Sequence, residues 1–252
     1  MGAIYEAATG LKSQQTRLDT IAANIANINT VGYKSQRVDF KDALYKAMDT
    51  PVGNSEAGNL RTGSGVLLGA TTTDVSEGTV SETGNPLDFA LNGKGYFTVQ
   101  TPTGETLYTR NGDFQISVEN GASYLVTAQG YYVLDSAGKR IQLPQDSTSD
   151  ISVTESGVLK VEDTTIADLG ITSFPNPDGL DAAGDTCYRA TQVSGTAAPA
   201  GQVTVKQGRL EQSNVDLAQE MTLLIRSQRA YSLASKALQT ADDMKGLANN
   251  IR

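Results

Sequence analysis

Apolar residues recur every seven positions at the start of the chain. Ile4, Leu11, Leu18 and Ile25 form one series, and Ala7, Gln14, Ile21 and Ile28 occupy the companion places. This is an a/d seam of about four heptads with one polar fault, Gln14. Gly32 falls where a left-handed residue would close such a helix, so the helix is expected to end near Asn29. At the other end of the chain, "SNVDLAQE" offers Ser213 as an N-cap with Asp216 three residues on. Leu217, Leu224, Tyr231 and Leu238 then make one stripe. Ala230, Ala234, Ala237, Ala241, Met244, Ala248 and Ile251 make a second beside it. Two stripes give an apolar face wider than a single partner helix needs.

Between these helices the period changes. "YFTVQTPTGETLYTR" reads as two strands around a Thr-Pro-Thr-Gly turn, and "ISVTESGVLKVE" as a hairpin around Glu155-Ser156-Gly157. Short strands at roughly ten-residue spacing, broken by glycine turns, predict an antiparallel sandwich or barrel-like domain. Residues 49–69 and 194–202 are rich in small and polar residues and read as a long loop and a second linker. The expected fold class is therefore α+β. N- and C-terminal helices pair as a coiled coil (residues 1–45 with 206–252), residues 46–72 form an extended loop, and residues 73–205 form a central antiparallel all-β domain.

Composition narrows the chemistry. The chain of 252 residues has no histidine, no tryptophan and one cysteine, Cys187. Histidine-dependent triads and histidine zinc sites are excluded, and one thiol makes neither a disulfide nor an all-thiolate site. "SAGK" (136–139) and "NGKG" (92–95) read as turns and not as catalytic or phosphate-binding motifs, because neither opens a helix. No catalytic residue, cofactor or metal is expected. The formal net charge of −8 argues against nucleic acid. Both ends are slightly basic, so the acidic excess lies in the middle, as expected of a solvated β region between densely packed ends. No stretch approaches the ~20 apolar residues of a membrane span, so membrane insertion is not expected. The N-terminus lacks the pattern of a cleaved secretory signal.

The asparagines of "ANIANINTVGYK" (23–34) stand out, because asparagine costs about 0.5 kcal/mol against alanine inside a helix. Asn24 and Asn27 fall off the heptad seam, on one side of the helix. There their amides are expected to meet neighbouring chains and fix register, with local capping the alternative for Asn27 and Asn29.

"ANIANINTVGYK" resembles the N-terminal signature of the bacterial flagellar rod and hook proteins. "SNVDLAQEMTLLIRSQRAYSLASKALQTADDM" (213–244) resembles their C-terminal run, and "NPLDFALNGKGYFTVQ" and "YTRNGDFQIS" resemble the strands that open their β domain. The resemblance implies a non-enzymatic structural subunit that stacks helically into a hollow axial shaft transmitting torque. The implied partners are copies of itself, adjoining rod and hook proteins, the flagellar export apparatus in transit, and ring or bushing proteins where an outer membrane exists. The implied place is the flagellar basal body, in the periplasm or cell-wall space, reached without a cleaved signal. Residues 46–69 resemble an extra loop of distal rod subunits that hook subunits lack, which favours the distal rod over the proximal rod or hook. A carbohydrate-binding or hydrolytic β domain with dimerising termini is the rival outside the family, and a closed dimer in solution would favour it. The expected subunit interface comprises Ile4, Leu11, Leu18, Asn24, Ile25, Asn27, Gly32 and Tyr33 from the first segment. From the last it takes Leu217, Met221, Leu224, Gln228, Arg229, Tyr231 and Leu238.

Overall fold

The computed structural model describes residues 2–43, 46–47, 61–62, 65–119, 121–144, 151–162, 164–201 and 203–250, with the side chains of residues 2–4, 46–47, 61–62 and 248–250 left out. The architecture is α+β: an N-terminal helix, a C-terminal helix and a large antiparallel β region between them in sequence. Two units emerge, one of residues 1–26, 36–73 and 216–252, the other of residues 27–35 and 74–215.

The first unit holds both helices. Helix α1 spans Gly2–Ala26 and α2 spans Leu217–Asn250, and the two lie against one another. The end of α1 comes at Ala26, not near Asn29. Thr30 turns back onto Asn27, its N–H donating to the Asn27 carbonyl (3.1 Å) and its hydroxyl to the Asn27 Oδ1 (3.1 Å), so a tight turn replaces the next helical turn. Helix α2 starts later than the Ser213 cap would place it. Asp216 is the cap, its Oδ1 accepting from the amides of Ala218 (2.9 Å) and Gln219 (3.2 Å), where a carboxylate also meets the positive end of the helix dipole.

The segment read as a loop between helix and β domain is in part a β-ribbon. Gln36–Asp42 pairs antiparallel with Val66–Thr73, from Gln36↔Thr73 to Asp42↔Val66, and Lys46–Ala47 continues the pairing with Arg61–Thr62. Residues 48–60 lie outside the described residues. Gly69 is skipped in the register, between Ala70 opposite Asp39 and Leu68 opposite Phe40. A Cβ there would stand 2.8 Å from Lys41 Cγ and 3.0 Å from the Asp39 carbonyl, so a side chain at the bulge would make both neighbours give way. Glycine in a strand-forming run is what makes residues 61–72 read as part of the extended loop.

In the second unit every strand pair among the described residues is antiparallel. Tyr96–Gln100 pairs with Thr106–Thr109, and Ile151–Val153 with Val158–Val161, as the alternating patterns predict. Thr204–Gln207 pairs with Phe89–Asn92, and Arg209–Glu211 with Val80–Glu82, so residues 206–211 are strand and belong to this unit. The core gathers one face of these strands: Phe89, Phe97, Val99, Phe114, Leu125 and Leu159 are buried to near completion. Phe97 and Phe114 meet edge-on at 5.1 Å between ring centres. Cys187 is buried in the same core, and burial holds its thiol up at about 11, an inert state at neutral pH.

Candidate assembly surface

In the β unit, three segments remote in sequence meet at a buried ion cluster. Lys34 Nζ lies 2.6 Å from Glu211 Oε1, and Arg110 Nη1 lies 3.1 Å from Glu211 Oε2. The Gly78 amide also donates to Glu211, at 2.9 Å. Lys34 gives a further bond to the Ser76 carbonyl. Arg110 donates to the carbonyls of Leu91 and Gly93 and sits 5.5 Å over the Tyr96 ring. Burial pushes the Lys34 ammonium down and the Glu211 carboxylate opposes that shift. One anion thus serves two buried cations, and losing it would strand both charges. Gly32 places the backbone for this cluster. Its φ is +69°, its amide donates to the Glu211 carbonyl at 2.8 Å, and a Cβ would fall 2.5 Å from the Asn111 amide nitrogen. The left-handed geometry expected of Gly32 is present, in the turn beyond α1 and not at its cap.

In the helical unit, Asn24 is the most buried described residue of α1, 1% exposed. Its Nδ2 donates to the Gln36 carbonyl (2.9 Å) and to Glu220 Oε1 (3.0 Å), while its Oδ1 accepts from the Gln36 amide (2.9 Å). The expectation that this amide faces a neighbouring chain is therefore corrected. A position off the heptad seam is still inside the unit, because the strand Gln36–Asp42 and α2 cover α1 from different sides. Asn27, in the other unit, makes the local turn with Thr30, the capping alternative.

The remaining expected interface residues divide by helix. Leu11, Leu18 and Ile25 are half-buried, and the Ile4 side chain lies outside the described ones. The side of α1 that its own unit covers most fully carries Ser13, Ile21 and Asn24, and the Gln14 Oε1 is buried without a hydrogen-bond partner among the described residues. On α2, Ser227 is buried and Leu223, Leu224, Ala230, Ala234 and Leu238 are half-buried, while Gln228, Arg229 and Tyr231 are exposed. Leu217, Met221 and Ile225 are about half-exposed, and Leu233, Met244 and Leu247 reach 68%, 65% and 63%. At about 100° per residue, Leu247 points roughly opposite to Ser227, while Leu233 and Met244 lie about a third of a turn round from it on one flank. The ribbon likewise exposes Leu67 and Leu68 on alternate faces. Tyr33, in the other unit, is half-buried. Sequence reasoning missed Lys34, Arg110, Glu211 and Glu220 as structural partners. A charged residue carries no mark of burial until its counter-charge is known, and these partners lie up to 196 positions apart.

Comparison with known proteins follows the same segments. Residues 4–34 match the family described as "Flagella basal body rod protein", residues 90–161 "Flagellar hook protein FlgE/F/G D1 domain", and residues 206–251 "Flagellar basal body rod FlgEFG protein C-terminal". Each of these stretches supplies one member of the ion cluster. The flagellar basal-body rod protein FlgG of Caulobacter vibrioides is 37% identical, with all of both chains covered. FlgG of Bacillus subtilis is 38% identical over 96% of this chain and 95% of the relative. The flagellar hook-basal body complex protein FlhP of Bacillus subtilis is 30% identical over 98% of this chain and 97% of the relative. With full-length similarity at this level and the three family segments in order, the chain belongs to the FlgG family of flagellar basal-body rod proteins.

Proposed function

We infer that this chain is a structural subunit of the distal rod of the flagellar basal body, polymerising helically into a hollow shaft that carries torque to the hook. The observation that carries the reading is the apolar surface that α2 leaves uncovered, with Leu233, Met244 and Leu247 about two-thirds exposed and Leu217, Met221 and Ile225 about half-exposed. Fully burying one such side chain is worth about 1.5–3 kcal/mol, so the set offers on the order of 10 kcal/mol to a lattice of neighbours. A heterologous contact of this kind, repeated without closing, builds a filament. The terminal helices complete their coiled coil there: Leu11, Leu18 and Ile25, half-covered in one chain, gain partners in the polymer. The neighbours are copies of this chain and the adjoining rod and hook proteins. The compartment is the periplasm or cell-wall space, reached by the flagellar export route.

The ribbon supports the distal rod in particular. A two-stranded ribbon with leucines on both faces is a weak structure alone and a good brace when a neighbouring subunit covers it. A rod must stay straight while a hook bends, and an added inter-subunit brace separates the two. Electron microscopy of basal bodies tests the reading. A strain lacking this protein should stop at a short proximal stub without a hook. A rod absent altogether would move the assignment to the proximal rod, and a full rod lacking only its hook would move it to the hook. Shortening residues 51–65, of which 51–60, 63 and 64 lie outside the described residues and Arg61–Thr62 is ribbon strand, should leave a folded subunit and a curved or more flexible shaft. An unchanged straight rod would remove the brace.

A further inference from the structure

Gln36 is the first residue of the ribbon strand Gln36–Asp42, with Thr73 opposite it. A strand residue directs its N–H and C=O to the same edge, and a neighbouring strand satisfies both at once. Here one side chain does so: the Asn24 Oδ1 takes the Gln36 amide and the Asn24 Nδ2 serves the Gln36 carbonyl, each at 2.9 Å. The second hydrogen of the same Nδ2 reaches Glu220 Oε1 at 3.0 Å, four residues into α2 from its cap at Asp216. Only a primary carboxamide has two donors and an acceptor in this arrangement. Glutamine would carry it a methylene too far, and aspartate lacks the donors.

We propose that Asn24 is a positioning residue that stands in for a β-strand, pinning the first residue of the ribbon to the ends of both helices before any neighbour is present. The ribbon thereby leaves the helix pair in a fixed register, set by one side chain. Its consequence for assembly rests on the rod reading above; the clamp itself does not. Glu220 faces Arg17 of α1 and Asp216 of its own helix, and on the ribbon Arg37 is turned to Asp39 at 3.1 Å. The Glu220 Oε2 is buried with no hydrogen-bond partner among the described residues.

Hydrogen exchange of the Gln36 amide in the full-length monomer tests this, with the Tyr96–Gln100 amides of the β unit as the internal reference. Asn24→Ala should speed Gln36 exchange at least ten-fold while the reference amides keep their protection. Asn24→Asp, nearly isosteric, should behave the same way at pH 8, where two carboxylates about 3 Å apart repel. At pH 5 it should recover to within three-fold of the parent, because one shared proton restores a donor. Gln36 protection unchanged within two-fold in Asn24→Ala, or an Asn24→Asp profile flat between pH 5 and pH 8 after correction for intrinsic exchange, overturns the proposal. Should the alanine variant fail to fold, shown by loss of the reference protection, the aspartate profile decides alone. If Gln36 exchange accelerates as expected and Asn24→Ala still builds straight rods at parental yield, the clamp stands and the brace reading of the ribbon falls.

Discussion

In the β unit Phe89, Phe97, Phe114 and Leu125 are among the deepest residues, and the two buried cations, Lys34 and Arg110, share one carboxylate. In the helical unit the buried described residues are Ser13, Ile21, Asn24, Val38, Ala43 and Ser227, while Leu233, Met244 and Leu247 stand in water. The first arrangement is that of a finished domain. The second buries Asn24, Ser13 and Ser227 beside small or medium apolar residues and leaves its large apolar side chains on α2 outward, an arrangement that other chains would improve by covering it. On the rod reading, stability and assembly lie in different residues, and substitutions should separate them.

Glu211→Ala should do the most damage to the subunit. It leaves Lys34 and Arg110 buried without a counter-charge and should cost about 3–5 kcal/mol, read as a fall in the denaturant midpoint of the β unit. Replacing all three residues with apolar ones of similar size should recover much of that loss, and a triple variant as weak as Glu211→Ala would break the ion-cluster account. Gly32→Val comes next. A Cβ 2.5 Å from the Asn111 nitrogen and a φ of +69° in a β-branched residue should together cost on the order of 3 kcal/mol by the same measurement.

Asp113→Asn should be milder and opposite in sign. Burial, and then repulsion from Asp88, hold the Asp113 carboxyl above the usual range. The folded state therefore binds this proton more tightly than the unfolded one. That contribution to stability is present below the unfolded value and lost as pH rises through the folded one. The variant should be more stable than the parent at pH 7 by less than about 1 kcal/mol, given the partial exposure of the site, and the difference should shrink toward pH 3. The smallest effect on the subunit is expected from Leu233→Asp. An exposed substitution should move the melting free energy by no more than about 0.5 kcal/mol, yet no rod should form. A substantial loss of monomer stability from this change would blur the contrast between the two units.

How much of this was legible depended on range. The hairpins at 96–109 and 151–161 were readable because period and turn residues lie within a few positions of each other. The left-handed Gly32 was readable as well. The ribbon was not, because Gly69 breaks the alternation that marks a strand. Asn24 was misplaced because a heptad wheel counts one partner helix, whereas α1 is also covered by the strand that begins at Gln36. Ser213 gave way to Asp216 as the cap because residues 209–211 are still strand, which moves the start of the helix along the chain.

The ion cluster also sets an order of events in time. Lys34 and Glu211 are 177 positions apart, and Arg110 lies 101 before Glu211. A chain delivered from its N-terminus, whether by a ribosome or through a narrow conduit, holds two unneutralised cations until residue 211 arrives. Contacts of such separation must overcome loop-closure entropy before they return anything, so they form late. The strand that brings Glu211 also pairs with Val80–Glu82, and α2 begins six residues later, at Leu217. Closure of the β unit is thereby timed to the emergence of the last helix. Until then Lys34 and Arg110 lack the carboxylate they share in the finished unit, and on the rod reading the exposed apolar residues of α2 emerge only after that carboxylate.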